Sequence, residues 1–253
     1  MPDTTPPPPT PTNPTLYFGY GSNLWHHQML TRCPTSTYIG IARLRPYTWL
    51  INTRGYANVV SAPTPTSSTS TTTTTTTTTP PPTYSTTVYG LVYTLHPTDE
   101  AQLDINEGVP TAYTKELLPC SFWALDPSNP FNPSPDSQGN VIDTSTPPTI
   151  NKCTMLVYID RKRTEASVPR KEYVYRMNRG IEDAVKCGVP GGYVEEVMRR
   201  YVPADDGEDD DDDHDKGGKK KKEGKTKKEE RKKIAQFARG QAKRFKDESG
   251  VIK

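Results

Sequence analysis

Tyr17-Phe18-Gly19-Tyr20-Gly21-Ser22-Asn23-Leu24 opens the foldable part of the chain, directly after a Pro/Thr-rich leader. Leu16-Tyr17-Phe18 is apolar and aromatic-rich, which predicts a short strand. Gly19 and Gly21 bracket Tyr20, so the strand runs into a tight turn with little side-chain bulk. Glycine there permits unusual backbone angles and close approach of a ligand to main-chain N–H groups. Ser22 and Asn23 are placed to cap a helix beginning near Leu24. A strand, a Gly-rich turn and a helix N-terminus together make a site suited to a carboxylate or oxyanion. The same pattern also serves as a plain strand-to-helix joint, and this stretch alone does not separate the two.

Working outward, Trp25 to Leu30 continues as a short helix that Cys33-Pro34 ends, because the residue before proline is biased away from helical angles. His26 and His27 are adjacent and therefore point to different faces, without an acidic or Cys partner four residues on, so they do not read as a metal pair. Strands are expected over Tyr38–Leu44, Tyr47–Ile51, Tyr56–Val60 and Val88–Leu95. His96-Pro97 ends the last of these. Thr98 is placed to cap a helix with Asp99 and Glu100 in its first turn, stopped by Gly108. Tyr113 to Trp123 alternates as a further strand, with Pro119 implying an edge or bulge. Cys153–Ile159 is another. Tyr173, Met177, Ile181 and Val185 recur every four residues, the stripe of an amphipathic helix with Pro169 before its first turn. Val194, Val197, Met198 and Tyr201 mark a last helix, closed by Pro203. This order predicts an α+β domain with a curved, mainly antiparallel sheet or partial barrel and a few helices.

The rest of the 253 residues is compositionally biased. Residues 1–15 read as a disordered Pro/Thr leader, 61–87 as a Pro/Ser/Thr insert carrying the run Thr71–Thr79, and 126–148 as a second polar insert. Residues 204–253 read as a mostly disordered tail, acidic over Asp205–Asp215 and Lys-rich over Lys216–Lys233, with a short basic amphipathic helix near Ile234–Phe245. Such segments bury too little apolar surface to offset their chain entropy. The net charge of +2 hides this asymmetry and says little about partners. The four cysteines, Cys33, Cys120, Cys153 and Cys187, show neither a C-x-x-C pair nor a zinc spacing. Free thiols in a reducing, cytoplasmic setting are the expectation, with no metal, and no apolar run is long enough to span a membrane. The tail leaves open contact with nucleic acid or acidic surfaces.

Leu103-Asp104-Ile105-Asn106-Glu107-Gly108-Val109, followed by Tyr113, resembles the L-D-x-x-E-G-V…Y segment of the gamma-glutamylcyclotransferases, where it accompanies an N-terminal Y-G-S-N-L loop, here Tyr20 to Leu24. The resemblance continues through Arg32-Cys33-Pro34, Ala42-Arg43-Leu44, Val88–Tyr93 and Ser167 to Tyr201, so it covers roughly residues 16–203. It implies the family's fold, a small barrel-like mixed sheet with flanking helices. It implies a cofactor-free reaction in which the α-amine of a γ-glutamyl dipeptide attacks its own γ-carbonyl, releasing 5-oxoproline and an amino acid. Glu107 matches the family's catalytic glutamate. Tyr20, Gly21, Ser22, Asn23 and Leu24 match its substrate loop, and Tyr113 and Tyr173 its binding tyrosines. Where relatives carry a tyrosine in the late strand this chain has Leu156, with Tyr158 two positions on and on the same side. A homodimer is compatible with the resemblance. The rival readings are a non-catalytic ligand-binding or scaffold protein of the same fold, and a cyclotransferase for γ-glutamylamines or glutathione.

From the residues alone, Glu107 falls at the carbonyl end of its helix. The macrodipole disfavours a carboxylate there and raises its pKa, which suits a group that takes and returns a proton near neutral pH.

Overall fold

The strand Val88–Leu95 is buried along its whole length, which requires neighbours on both edges and cover on both faces. The computed structural model describes residues 14–62, 84–204 and 218–243. In it β1 (Thr15–Gly19), α1 (His26–Arg32), β2 (Thr37–Leu44), β3 (Tyr47–Ile51), β4 (Ala57–Ser61) and β5 (Val88–Leu95) lead to α2 (Pro97–Glu107). Then come β6 (Thr114–Ala124), β7 (Ile150–Ile159), α3 (Lys171–Cys187), the short α4 (Gly191–Tyr193) running into a wide turn over Val194–Met198, and α5 (Gly218–Lys243). The leader up to residue 13, the Thr run within 63–83 and the acidic run within 205–217 lie outside the described residues.

β5 takes β1 on one side and β2 on the other, both antiparallel, with Tyr17 opposite Tyr93 and Ala42 opposite Gly90. β2 continues to β6 and β6 to β7, again antiparallel. The circuit closes where β7 meets β1 in parallel at Tyr17 and Leu156, giving the closed order β1-β5-β2-β6-β7. Closure removes the sheet edges that would otherwise offer unpaired backbone groups. Register shifts between Tyr38 and Gly40 and between Cys120 and Phe122 bend the sheet enough to close. β3 and β4 form a separate two-stranded ribbon that packs near β5 and β7. The architecture is the α+β barrel with flanking helices that the order of elements implied.

α3 buries Tyr173, Met177, Ile181 and Ala184 against the barrel, as the four-residue stripe requires. Each fully buried side chain of this kind contributes about 1.5–3 kcal/mol. Val185, assigned to that stripe, is instead 43% exposed, since a strict four-residue step drifts off the face of a 3.6-residue helix. Two helix starts differ from expectation. α2 begins at Pro97, whose fixed φ suits a first turn, and no side chain caps it, so Thr98 is not its N-cap. Ser22–Leu24 forms one tight turn and α1 begins only at His26, so Ser22 and Asn23 cap nothing and turn inward. The end of α2 follows expectation: Gly108 is left-handed (φ 66°) and donates back to Asp104 and Ile105.

The segment 126–148 is held down. Trp123 donates to the Thr146 carbonyl, Ile142 N–H to the Cys187 carbonyl, and Phe131 stacks on Phe122. In the tail, α5 runs for 26 residues, far longer than the short helix expected, and packs on α3 and α1. Isolation was the premise of the expectation, and the docked face of Ala238, Gln241 and Ala242 removes it. Among the described residues no helix is long and apolar enough to cross a membrane.

Candidate functional site

β1 and α2 approach the same end of the barrel. β1 delivers the turn Gly19–Leu24, and α2 ends there with Glu107. Between them opens a cleft of about 490 Å³ including its mouth, lined by Tyr17, Tyr20, Gly21, Ser22 and Asn23 and by Glu107, Tyr113, Tyr158 and Tyr173. Arg32, Arg54, Tyr56, Ala57, Asn106 and Arg176 complete the wall.

The centre is Asn23. Its Nδ2 donates to Glu107 Oε1 at 3.0 Å and to the Tyr17 hydroxyl at 2.8 Å. Its Oδ1 accepts from Gln28 Nε2 at 2.6 Å and from Arg32 at 3.2 Å. Arg32 is donor-only, so it fixes which end of the Asn23 amide faces it and turns the NH₂ toward Glu107. Gln28 is set in the same way, since its Oε1 accepts from Arg176 at 3.2 Å. Two arginines thus orient two amides, and the amides orient the carboxylate.

Arg176 is itself buried and bidentate with Glu172, at 2.8 and 3.0 Å, and donates to Ser22 Oγ at 2.9 Å. Its guanidinium also lies 4.9 Å over the Tyr173 ring. The Tyr173 hydroxyl accepts from the N–H groups of Ser22 and Ala57, both at 3.2 Å, which ties the turn to β4. Gly21 is required by that approach. Its φ is an ordinary −110°, but an added Cβ would sit 2.8 Å from the Tyr173 oxygen and 3.1 Å from Ala57 Cβ. The glycine makes room for a hydroxyl.

Glu107 is half-buried, with its carboxyl at the cleft floor. Burial raises its pKa above the ordinary 4.5, while Arg32, the Asn23 hydrogen bond, Arg54 and Arg176 pull it down. Burial comes first among these causes. Burial also pulls the Arg32 guanidinium down to about 10, aided by Arg176. Burial holds Tyr17, Tyr20 and Tyr113 well above 10, so all three stay protonated and can donate. With Arg32, Arg54 and Arg176 in its wall against Glu107, and Glu172 behind Arg176, the cleft favours an anionic ligand.

The structure brings Glu107, Tyr20, Gly21, Ser22, Asn23, Tyr113 and Tyr173 to one cleft. Leu24 stands apart: it is wholly buried and packs against Gly180 of α3, and only its N–H serves the turn, bonding the Gly21 carbonyl. Tyr113 and Tyr20 have their hydroxyls engaged with main chain, Tyr113 with Ala57 O at 2.8 Å and Tyr20 with Tyr158 O at 2.5 Å. Tyr158 lines the cleft, as the two-residue offset from Leu156 suggested, and its hydroxyl donates to Asp104 at 2.6 Å. His26 is engaged elsewhere, with Tyr93 and Cys187. Sequence reasoning missed Tyr17, Gln28, Arg32, Arg54, Tyr56 and Arg176 as site residues. Arg176 carried a usable signal: it lies three residues after Tyr173 and beside Met177, on the stripe of an amphipathic helix where a charge needs a reason. Arg54 lies 5.3 and 5.4 Å over the rings of Tyr56 and Tyr113, a placement no local pattern announces.

No family model matches the chain, and no curated protein matches it. Among solved structures, an uncharacterized protein from Homo sapiens is similar at 17% identity and a TM-score of 0.49, over 77% of this chain and 91% of its own. A gamma-glutamyl cyclotransferase is similar at 18% identity and a TM-score of 0.48, over 76% of this chain and 89% of its own. The chemistry rests on the cleft itself.

Proposed function

We propose that this protein is a gamma-glutamylcyclotransferase, converting a γ-glutamyl-amino acid to 5-oxoproline and a free amino acid. The observation that carries the reading is the 3.0 Å hydrogen bond from Asn23 Nδ2 to Glu107 Oε1, which joins the two sequence motifs in one electropositive cleft. The cleft walls fold the γ-glutamyl group so that its α-amine meets its γ-carbonyl, and intramolecular reaction held this way gains about 7–11 kcal/mol. Glu107 takes a proton from the ammonium, freeing the lone pair. The amine nitrogen forms the new C–N bond, and the carbonyl oxygen carries negative charge until the C–N bond to the leaving amino acid breaks. Donors of the Tyr20–Asn23 turn stabilise that charge, and the positive charge of Arg54 in the cleft wall draws the α-carboxylate. Glu107 then returns its proton to the leaving amine and takes the second proton from the new ring nitrogen, which leaves 5-oxoproline as a neutral lactam; that proton passes on to the departing amine, which leaves as its ammonium. The raised pKa of Glu107 suits both halves of this shuttle.

The test is 5-oxoproline release from γ-glutamyl dipeptides by the wild type beside Glu107→Gln. The expected loss in the variant is about 10²–10⁴-fold in kcat. A folded wild type that releases no 5-oxoproline from γ-glutamyl dipeptides, γ-glutamylamines or glutathione refutes the reading. Binding of such a ligand without turnover would then assign the cleft to a binding protein.

A further inference from the structure

Arg32 is 4% exposed, and its guanidinium must find acceptors inside the protein. One is Asn23 Oδ1, already described. Two more come from over two hundred residues along the chain: Nε donates to the Ala242 carbonyl and NH2 to the Gln241 carbonyl, both at 3.0 Å. These carbonyls lie in the last described turn of α5. A buried guanidinium gains from such paired main-chain acceptors. α5 is anchored at this end: Ala238 and Ala242 are wholly buried, and Gln241 is 3% exposed. Alanine at i and i+4 lets the helix come close to α1 and α3.

We propose that the C-terminal end of α5 is a positioning element of the cleft, holding Arg32 so that Arg32 fixes Asn23 and Asn23 presents Glu107. The inference rests on the cyclotransferase reading for its kinetic consequence but not for its structural one. The relay runs Ala242 and Gln241 carbonyls, Arg32, Asn23, Glu107, through hydrogen bonds of 3.0, 3.2 and 3.0 Å. Removing the carbonyls frees the guanidinium to hydrate or turn, and the Asn23 amide then loses the donor that dictates its orientation. Gln28 still bonds Asn23, so the effect is a loosening and not a collapse. The charged C-terminal region therefore acts inside the catalytic domain and not only as a solvated appendage.

The experiment uses the full-length chain with Ala238→Glu/Ala242→Glu, which wedges α5 off its seat. The milder Ala242→Val keeps the test open if the double variant unfolds the domain. Arg239→Ser, at an exposed neighbour on the same helix, is the control. Exchange of the Arg32 Nε–H with solvent, read by NMR, is expected to be slow in the wild type and control and fast in the undocked variants. In 5-oxoproline release, undocking is expected to lower kcat about 10-fold or more while KM moves less, as small misplacements of reacting groups do. Arg32→Gln is expected to produce a similar loss alone and little further loss once α5 is undocked. Equal Arg32 exchange in wild type and undocked variants overturns the proposal, as does full kcat in a variant whose Arg32 exchange has become fast, or a full additional loss from Arg32→Gln. If the wild type has no cyclotransferase activity, the carboxyl titration of Glu107 decides. A midpoint that moves on undocking supports the relay, and an unchanged midpoint overturns it.

Discussion

Arg176→Met isolates a buried, bidentate ion pair. Arg176 is 1% exposed and Glu172 4%, and they are joined by two parallel hydrogen bonds one helical turn apart. Methionine keeps the unbranched stem and its packing, so the change is mainly one of charge and donors. It strands the Glu172 carboxylate in a low-dielectric interior, a loss that runs to about 3–5 kcal/mol for a broken buried pair. Ser22 Oγ and Gln28 Oε1 lose a donor as well, and each such loss adds up to about 1–3 kcal/mol if no water replaces it. A domain of this size has about 5–15 kcal/mol in total, so the variant is expected to be folded but marginal. The assay is urea unfolding followed by tryptophan fluorescence. The midpoint should fall with the slope retained, and the melting temperature should drop by about 6–20 °C at about 2–4 °C per kcal/mol. Arg176→Met/Glu172→Leu should recover much of the loss, because two apolar groups no longer leave a charge unpaired. A loss under about 1 kcal/mol for the single variant, or a double variant as unstable as the single, would refute the argument.

Three further outcomes follow from the cleft. Glu107 has a raised pKa in the folded state, so the native protein binds its proton more tightly than the unfolded chain does; stability falls as pH rises from the ordinary 4.5 through the folded value, and Glu107→Gln should be more stable than wild type at pH 7 but not at pH 4, by paired denaturation curves. Asn23→Leu removes a hydrogen bond that lowers that pKa, so the acid limb of the kcat/KM profile for 5-oxoproline release should move to higher pH. Gly21→Ala should push the Tyr173 hydroxyl from its two N–H donors and raise KM; Tyr173→Phe in the same chain removes the clashing oxygen and leaves only the approach to Ala57 Cβ, so Gly21→Ala should cost less in the Tyr173→Phe background than in the wild type.

The barrel was legible where local pattern and burial agree. β5 is buried along its whole length and the Met155–Ile159 half of β7 is an apolar buried run, and strands buried on both faces read that way. The closing contact was not legible. β7 meets β1 in parallel at Tyr17 and Leu156, and nothing in either strand distinguishes an edge left open from one that finds a partner across the barrel. The tail was misread for a related reason. Ala238 and Ala242 are weak as a hydrophobic signal, yet they are buried because α1 and α3 offer a seat, which only the assembled fold shows.

The candidate site divides along the same physical line. Glu107 and the Tyr20–Asn23 turn were legible because their chemistry is carried by residues close to their own backbone, where motif spacing and position coincide. The arginines were not, because a guanidinium acts six bonds from its Cα and can serve a cleft its sequence neighbours never touch. Arg32 comes from the end of α1, Arg54 from the β3–β4 turn and Arg176 from α3, three segments with no common pattern. Each nonetheless lines the same cleft. Arg32 and Arg176 have no acceptor to offer, so the amides of Asn23 and Gln28 can face them only with oxygen, and the single remaining orientation aims NH₂ groups at Glu107 and Ser22. A lysine in either position would keep the charge but not the planar fork that meets two acceptors at once. The carboxylate is therefore held by an arrangement in which burial pushes toward the protonated state and three cations push back, with burial the larger cause and the Glu107 pKa raised.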